Sequence, residues 1–288
     1  MASTPKKSAP ATQPKAAAAR QPAAPAPRER RQRVQSAETG MAVLKGLARM
    51  GGNAGLSGLA AHVGESPAKV HRYLASLVQE GLVAQDVDSQ RYRLGPEAIN
   101  IGLAAMRQSD PVRAAEPALV RLREGLEVTC FVAVMGNKGP TVMRFEEPGL
   151  PVTVNVRAGS VMSMLWSATG RAFLGLLNER SVRELAEQEL AAAPREMRAQ
   201  LDARQPIEAL RAEVRALRCA VVRDTYLRGI SAVAAPVHDF TGRVCAVITA
   251  LGASGGFDPS ADGAIATAVL REAAATSEVL GYLVPKEC

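Results

Sequence analysis

The chain has 288 residues, 47% of them apolar, with 35 Lys and Arg against 28 Asp and Glu for a formal charge of +7; that is enough for one or two globular domains and excludes a fibrous or wholly disordered chain. Residues 1–33 hold eight basic residues and the single acid Glu29, so the whole surplus lies there and residues 34–288 are formally neutral. Cys130, Cys219, Cys245 and Cys288 lie far apart, without a Cys-x-x-Cys pair or clustered histidines, a pattern that fits neither a zinc site nor a disulfide framework.

Residues 1–33 contain ten Ala and six Pro and almost nothing apolar that is larger, which reads as a solvated cationic tail. Its prolines spoil the amphipathic helix that a transit peptide would need, and there is no apolar secretion core. From Gln35, apolar residues recur at helical spacing: Met41, Leu44, Leu47 and Ala48, then Leu56, Leu59, Ala60 and Val63. Gly64-Glu65-Ser66 interrupts. Val70, Tyr73, Leu74, Leu77 and Val78 form a third run ending at Gly81, whose missing Cβ suits a left-handed stop. Two β-prone stretches, 82–85 and 91–94, flank a turn-like 86–90. Gly95-Pro96 punctuates, and Glu97 to about Gln108 reads as a linker helix carrying Ile99, Ile101 and Leu103.

Beyond Pro111 the pattern predicts a helix over 114–126, strands at 130–135 and 142–145 around a turn at 136–140, a strand at 152–156 and a helix at 168–177. Two polar Ala- and Arg-rich helices follow at about 182–190 and 207–217; their alternating charges read as a solvated surface. Strands at 220–223, 232–238 and 243–251 precede a closing helix from Pro259 to about Leu283. Helices bracketing hairpin-linked strands imply an α+β fold around an antiparallel sheet. The expected organisation is a basic tail (1–33), an N-terminal domain (34–95), a linker helix (96–110) and a C-terminal domain (111–284). No apolar run reaches the roughly 18 residues that cross a bilayer, so the expectation is a cytoplasmic protein without membrane contact.

Residues 56–80 have the spacing of a helix-turn-helix. Holding Val70, Leu74 and Leu77 in a core forces Ala68, Lys69, Arg72 and Ser76 onto another face. A helix fits the DNA major groove and reads base edges with its N-terminal side chains. The candidate DNA-binding residues are therefore Ser66, Ala68, Lys69 and Arg72, with Ser57, His71 and Ser76 beside them. The following hairpin is wing-like, and Arg91 and Arg93, two apart on one strand, share a face that could meet the DNA backbone or minor groove. Residues 34–94 carry a net charge of only +1, so affinity must come from local placement, dimerisation or the tail. Gly252–Gly256 lacks the Gly-Lys-Ser/Thr of a phosphate loop. His62, His71 and His238 have no evident Ser or Cys partner pattern, and no catalytic residue, metal or cofactor is expected.

The run Leu56-x-x-Leu-Ala through Val70-His71-Arg72-Tyr73-Leu74-x-x-Leu77, then Gly81-Leu82-Val83 and Arg91-Tyr92-Arg93-Leu94-Gly95, resembles the winged helix-turn-helix of the IclR family of bacterial transcription regulators. The likeness continues in Arg157-Ala158-Gly159-Ser160, in Ala168–Leu174 and in Gly229–Val237, and covers about residues 36–283. It implies a homodimer made through the DNA-binding domains, often a dimer of dimers, on a pseudo-palindromic operator in the nucleoid-associated cytoplasm. It also implies a C-terminal GAF-like domain that binds a small organic acid effector. In that family the pocket lies between the sheet and the segment matching Val154–Thr169, with ligands from a Cys and two Ser of an Ile-Ser-Ile-Ser-Gly strand. Here the Cys place is Ala232, the Ser places are Thr249 and Leu251, and the usual acid is replaced by Val222 with Asp224 nearby. Losing donors while gaining apolar lining, with Met162, Met164 and Trp166 adding bulk, points to a larger apolar or aromatic acid, not glyoxylate or pyruvate; Trp166 as plain core or an interface anchor stays open. The effector candidates are Val154, Met164, Trp166, Ala168, Thr169, Asp224, Ala232, Thr249 and Leu251. The alternative is a small-molecule sensor or enzyme whose N-terminal helices serve protein contacts.

Overall fold

The computed structural model describes residues 34–149 and 156–283, so the tail and all but the last residue of the expected strand at 152–156 lie outside the described residues. The chain divides into two compact units, one up to Ile101 and one from Gly102.

In the first unit, α1 (Gln35–Arg49), α2 (Leu56–Val63) and α3 (Pro67–Gln79) enclose a small core. Val43 and Leu47 of α1 meet Leu59, Ala60, Val70, Leu74 and Leu77 there, under Val83 and Tyr92 of the wing. Met41 and Ala48, expected on the core face of α1, are exposed; Gly40 and Gly46 are buried instead. A count of large apolar side chains overlooks glycines, yet a Cβ at Gly46 would stand 3.3 Å from Leu59. The wing has three strands, because the two-residue β1 (Asn53–Ala54) pairs with β3 (Tyr92–Leu94), which also pairs with β2 (Val83–Gln85). Gly81 (φ +71°) ends α3, and a Cβ at Gly95 would lie 2.2 Å from its carbonyl oxygen. The next helix, α4 (Pro96–Arg107), buries none of its residues; Ile99, Leu103 and Met106 are exposed along one side.

The second unit opens with α5 (Pro111–Leu126), whose first turn is capped by Asp110 accepting from Val112 N and Arg113 N. The hairpin β4 (Thr129–Gly136) and β5 (Gly139–Glu146) follows, then α6 (Ala168–Leu176), α7 (Arg180–Ala192), a short α8 (Arg195–Arg198) and α9 (Pro206–Leu217). The strands β6 (Ala220–Arg223), β7 (Ile230–His238) and β8 (Val244–Ala253) lead to α10 (Ala264–Val279). The sheet runs β5-β4-β8-β7-β6 and every pair is antiparallel. The last helix starts later than expected because Asp258 folds the chain into a turn, accepting from Ser260 N and Oγ.

Period-two alternation divides the sheet's side chains between two cores. Cys130, Val132, Val233, Ala235, Ala246, Ile248 and Ala250 pack on α5 and α10. Phe131, Ala133, Val222, Ala232, Ala234, Val247 and Leu251 face α6, α7 and α9. Each fully buried Leu, Ile, Val or Phe stabilises the fold by about 1.5–3 kcal/mol. Not all of the Arg-rich surface is solvated. Arg211 is buried, and its guanidinium donates to the Leu174 and Leu177 carbonyls and to Asn178, fastening the C-terminal end of α6.

Candidate DNA-reading face and ligand cavity

The turn between α2 and α3 is set by three adjacent residues. Gly64 takes the left-handed backbone (φ +73°) that ends α2. Ser66 then caps α3, its hydroxyl accepting from Lys69 N, and Pro67 supplies a pre-set φ at the first helical position. The helix so fixed buries Val70, Leu74 and Leu77 and exposes Ala68, His71, Arg72 and Ser76, with Ser57 exposed on α2 and Ser66 exposed at the cap. Among the described residues, no carboxylate lies within ion-pair distance of Arg72.

Two of the candidate cations are already engaged. Lys69 is half-buried and its ammonium lies 2.7 Å from Glu65, one helical turn back. Arg91 is exposed just before β3, and its guanidinium donates to the Asn53 side chain (2.8 Å) and carbonyl. Arg91 therefore ties the wing to β1, whereas Arg93, opposite Asn53 and Ala84 in the sheet, presents an exposed side chain. The spacing of Glu65 and Lys69 could have shown the first pairing; the Asn53 partner, 38 residues from Arg91, carries no local signal.

In the second unit a cavity of about 30 Å³ lies between the sheet and the start of α6. The sheet contributes Phe131, Val222, Ala232, Thr249 and Leu251; the start of α6 contributes Ser167, Ala168 and Thr169. Met162, Val156, Tyr226, Leu227 and Ile230 complete the lining. The space is that of about one water molecule. Its polar side chains are hydroxyls. Thr169 and Thr249 are both buried and bonded to each other at 2.8 Å, and the Ser167 hydroxyl caps α6 by accepting from Gly170 N. No charged side chain lines the space among the described residues.

Of the nine effector candidates, Ala168, Thr169, Ala232, Thr249 and Leu251 line this cavity and Val154 lies outside the described residues. Met164 and Trp166 do not line it: both are buried in the surrounding core. Their segment is pinned elsewhere, since Glu189 of α7 accepts from Ser163 Oγ and from Met164 and Leu165 N, and Arg171 donates to the Leu165 carbonyl. Asp224 does not line it either. Its Oδ1 accepts from Gly229 N (2.7 Å) and Ser254 Oγ (2.8 Å), which ties the link between β6 and β7 to the end of β8. The lining residues Phe131, Val222, Tyr226, Leu227 and Ile230 were not among the candidates; cross-strand register brings them in, and register is not written in any one strand.

A three-helix unit with a wing and an exposed, capped third helix, followed by an α+β unit with a small cavity against its sheet, is the build of a two-part DNA-binding transcription regulator. Comparison with known proteins agrees. The family model for the IclR helix-turn-helix domain matches residues 36–87, and that for the bacterial transcriptional regulator IclR C-terminal region matches residues 103–278. The chain belongs to the IclR family of DNA-binding transcription regulators. It is similar to the crystal structure of Pseudomonas aeruginosa HmgR, with 39% identity, a TM-score of 0.80, and coverage of 86% of this chain and 99% of that one. It is 26% identical over 204 residues to the regulator BhcR of Paracoccus denitrificans, covering 68% of this chain and 70% of BhcR. It is 27% identical over 154 residues to the transcriptional repressor IclR of Escherichia coli, a match spanning 53% of this chain and 56% of that protein. BhcR and the Escherichia coli protein are transcriptional regulators, not enzymes. No helix among the described residues is long and apolar enough to cross a membrane.

Proposed function

We propose that this regulator reads a pseudo-palindromic operator as a homodimer, or a dimer of dimers, and that a small apolar or aromatic organic acid held in the second unit modulates that binding. The exposed Arg72 on the capped helix α3 is the observation that carries the DNA part. Ala68, His71 and Ser76 share its side of the helix, and Arg93 extends the contact from the wing. Residues 34–95 serve as the DNA-binding domain, 96–110 as the linker and 111–284 as the effector domain, in a cytoplasmic protein. Ile99, Leu103 and Met106, exposed at i, i+4 and i+7 of α4, support dimerisation, because such a stripe gains by burial against a copy of itself.

Apolar lining, with no charged side chain among the described residues, supports an effector that is mainly hydrocarbon. Its carboxylate would be met by the Thr169 and Thr249 hydroxyls and by the amide groups opening α6. The experiment is a gel shift with the intergenic DNA beside the gene, titrated with phenylacetate and with pyruvate. The wild type gives a specific shift, Arg72→Ala weakens it roughly tenfold, and phenylacetate alters it where pyruvate does not. An undiminished shift in the variant removes the assigned reading face. A response to pyruvate alone removes the aromatic acid.

A further inference from the structure

Most of the cavity's walls belong to the sheet or to the start of α6; Val156, Met162, Tyr226 and Leu227 do not. Val222, Ala232 and Leu251 form one rung across β6, β7 and β8, and Phe131 and Thr249 are paired in the next. These five side chains are 7% exposed or less. The start of α6 is equally fixed: Ser167 caps it, and a Cβ on Gly170 would stand 2.0 Å from the Ser163 carbonyl oxygen.

The link between β6 and β7 differs. Its Tyr226 and Leu227 line the cavity, yet they are 48% and 41% exposed. The link closes on a narrow neck. Asp224 N donates to the Ile230 carbonyl (3.0 Å), Ser254 N donates to the Gly229 carbonyl (2.8 Å), and the Asp224 carboxylate holds Gly229 N and Ser254 Oγ. Ser254 Oγ is bonded in turn to the buried Ser231 (2.9 Å). Asp224 and Gly229, at the two ends, both have left-handed backbone (φ +53° and +80°).

A space of one water's size admits an aromatic ring only if some lining side chains withdraw, and the cost of withdrawal scales with the apolar area that is re-exposed. The half-exposed pair has least to lose. We propose that residues 225–228 are the door of the cavity. Tyr226 and Leu227 swing out to admit the ligand and pack back over it, which makes them determinants of ligand size and residence time, and Asp224 is a positioning residue that holds the hinge. The inference rests on the reading of this cavity as the effector site.

The full chain tests it. Its single tryptophan, Trp166, is adjacent to the lining residue Ser167 and reports ligand arrival in stopped-flow mixing with phenylacetate and with pyruvate. Tyr226→Ala and Leu227→Ala should each raise association and dissociation rates about tenfold while the equilibrium constant moves less. Unchanged rates in both variants overturn the door. Binding of pyruvate alone overturns the aromatic-acid reading, and the door is then judged on the pyruvate rates. Amide exchange of the ligand-free chain decides if neither binds. Gly229 and Ser254 should exchange at least tenfold faster than Val233 and Ile248, and Asp224→Ala should speed the first two alone. Exchange at Gly229 and Ser254 as slow as in the strands overturns the proposal.

Discussion

The two faces of the five-stranded sheet are made from alternate residues of the same strands, and they are built for different ends. Along β8, Ala246, Ile248 and Ala250 turn to α5 and α10, while Val247, Thr249 and Leu251 turn to the side of α6. The first face is sealed with small side chains: Ala115 and Ala118 of α5 and Ala266 and Ala273 of α10 let the helices come close to Ala235, Ala246 and Ala250. One thiol of this face, Cys130, donates to the Leu119 carbonyl at 3.1 Å. The second face carries larger residues, a buried hydroxyl pair and the cavity. The sealed face stabilises, and it thereby lets its opposite face tolerate a void and buried polar atoms that a core built for stability alone would avoid.

Several substitutions break or sharpen that contrast. The largest effect is expected on the sealed face, where Leu119→Ala leaves a hole in a dry core and costs about 3 kcal/mol (range 2–5). Denaturant unfolding shows it as a lowered midpoint, with the ligand response of the folded fraction retained. Next comes the hydroxyl pair. Thr249→Val strands the Thr169 hydroxyl in a buried site and costs about 1–2 kcal/mol, whereas Thr169→Val added to it recovers most of the loss. A double-mutant cycle of unfolding free energies checks this, and two simply additive losses would show that the hydroxyls are not coupled.

The smallest effect is chemical. Burial, then the nearby Glu146 carboxylate, push the Cys130 thiol up to about 12 from its ordinary 9.0. The thiolate is the reactive form, so iodoacetamide at pH 8 should leave Cys130 unmodified until the chain unfolds, as mass spectrometry of the labelled peptides would show. Because the folded value is the higher one, this thiol's contribution to stability is whole below about pH 9 and declines as pH rises towards 12.

How much was legible in the sequence follows from how far apart the interacting residues lie. The helix-turn-helix is spelled within one short stretch by Gly64, Ser66, Pro67, the Val70-Leu74-Leu77 spacing and Gly81, and each of these acts locally. β1 was not legible, since two residues have no period. In the second unit the alternating strands and the order of helices could be read, and the family resemblance reached Ala168, Thr169, Ala232, Thr249 and Leu251. Met164 and Trp166 could not be aimed from sequence because residues 162–166 form no helix or strand and so have no periodicity to direct a side chain. Asp224 differs: it is close to the site in sequence, but its carboxylate bonds Gly229 N within its loop and Ser254 Oγ after β8, and it does not line the cavity. Tyr226 and Leu227 escaped because exposed loop residues reach the cavity only through the pairing of β6 with β7.

The Glu65–Lys69 pair at the foot of α3 has a consequence for how this regulator senses salt. A cation that neutralises a DNA phosphate frees the sodium ion condensed there, and each such contact steepens the fall of log affinity with log salt by about 0.9. Lys69 arrives with an anion at 2.7 Å. To reach a phosphate it must leave Glu65, so carboxylate and DNA compete for one ammonium, and because salt weakens the competing pair as well, the net slope from this contact is shallower. Arg72 has no such partner among the described residues, so its contact frees the phosphate's ion in full. Of two positive charges three residues apart, one answers more steeply than the other to the ionic strength of the medium.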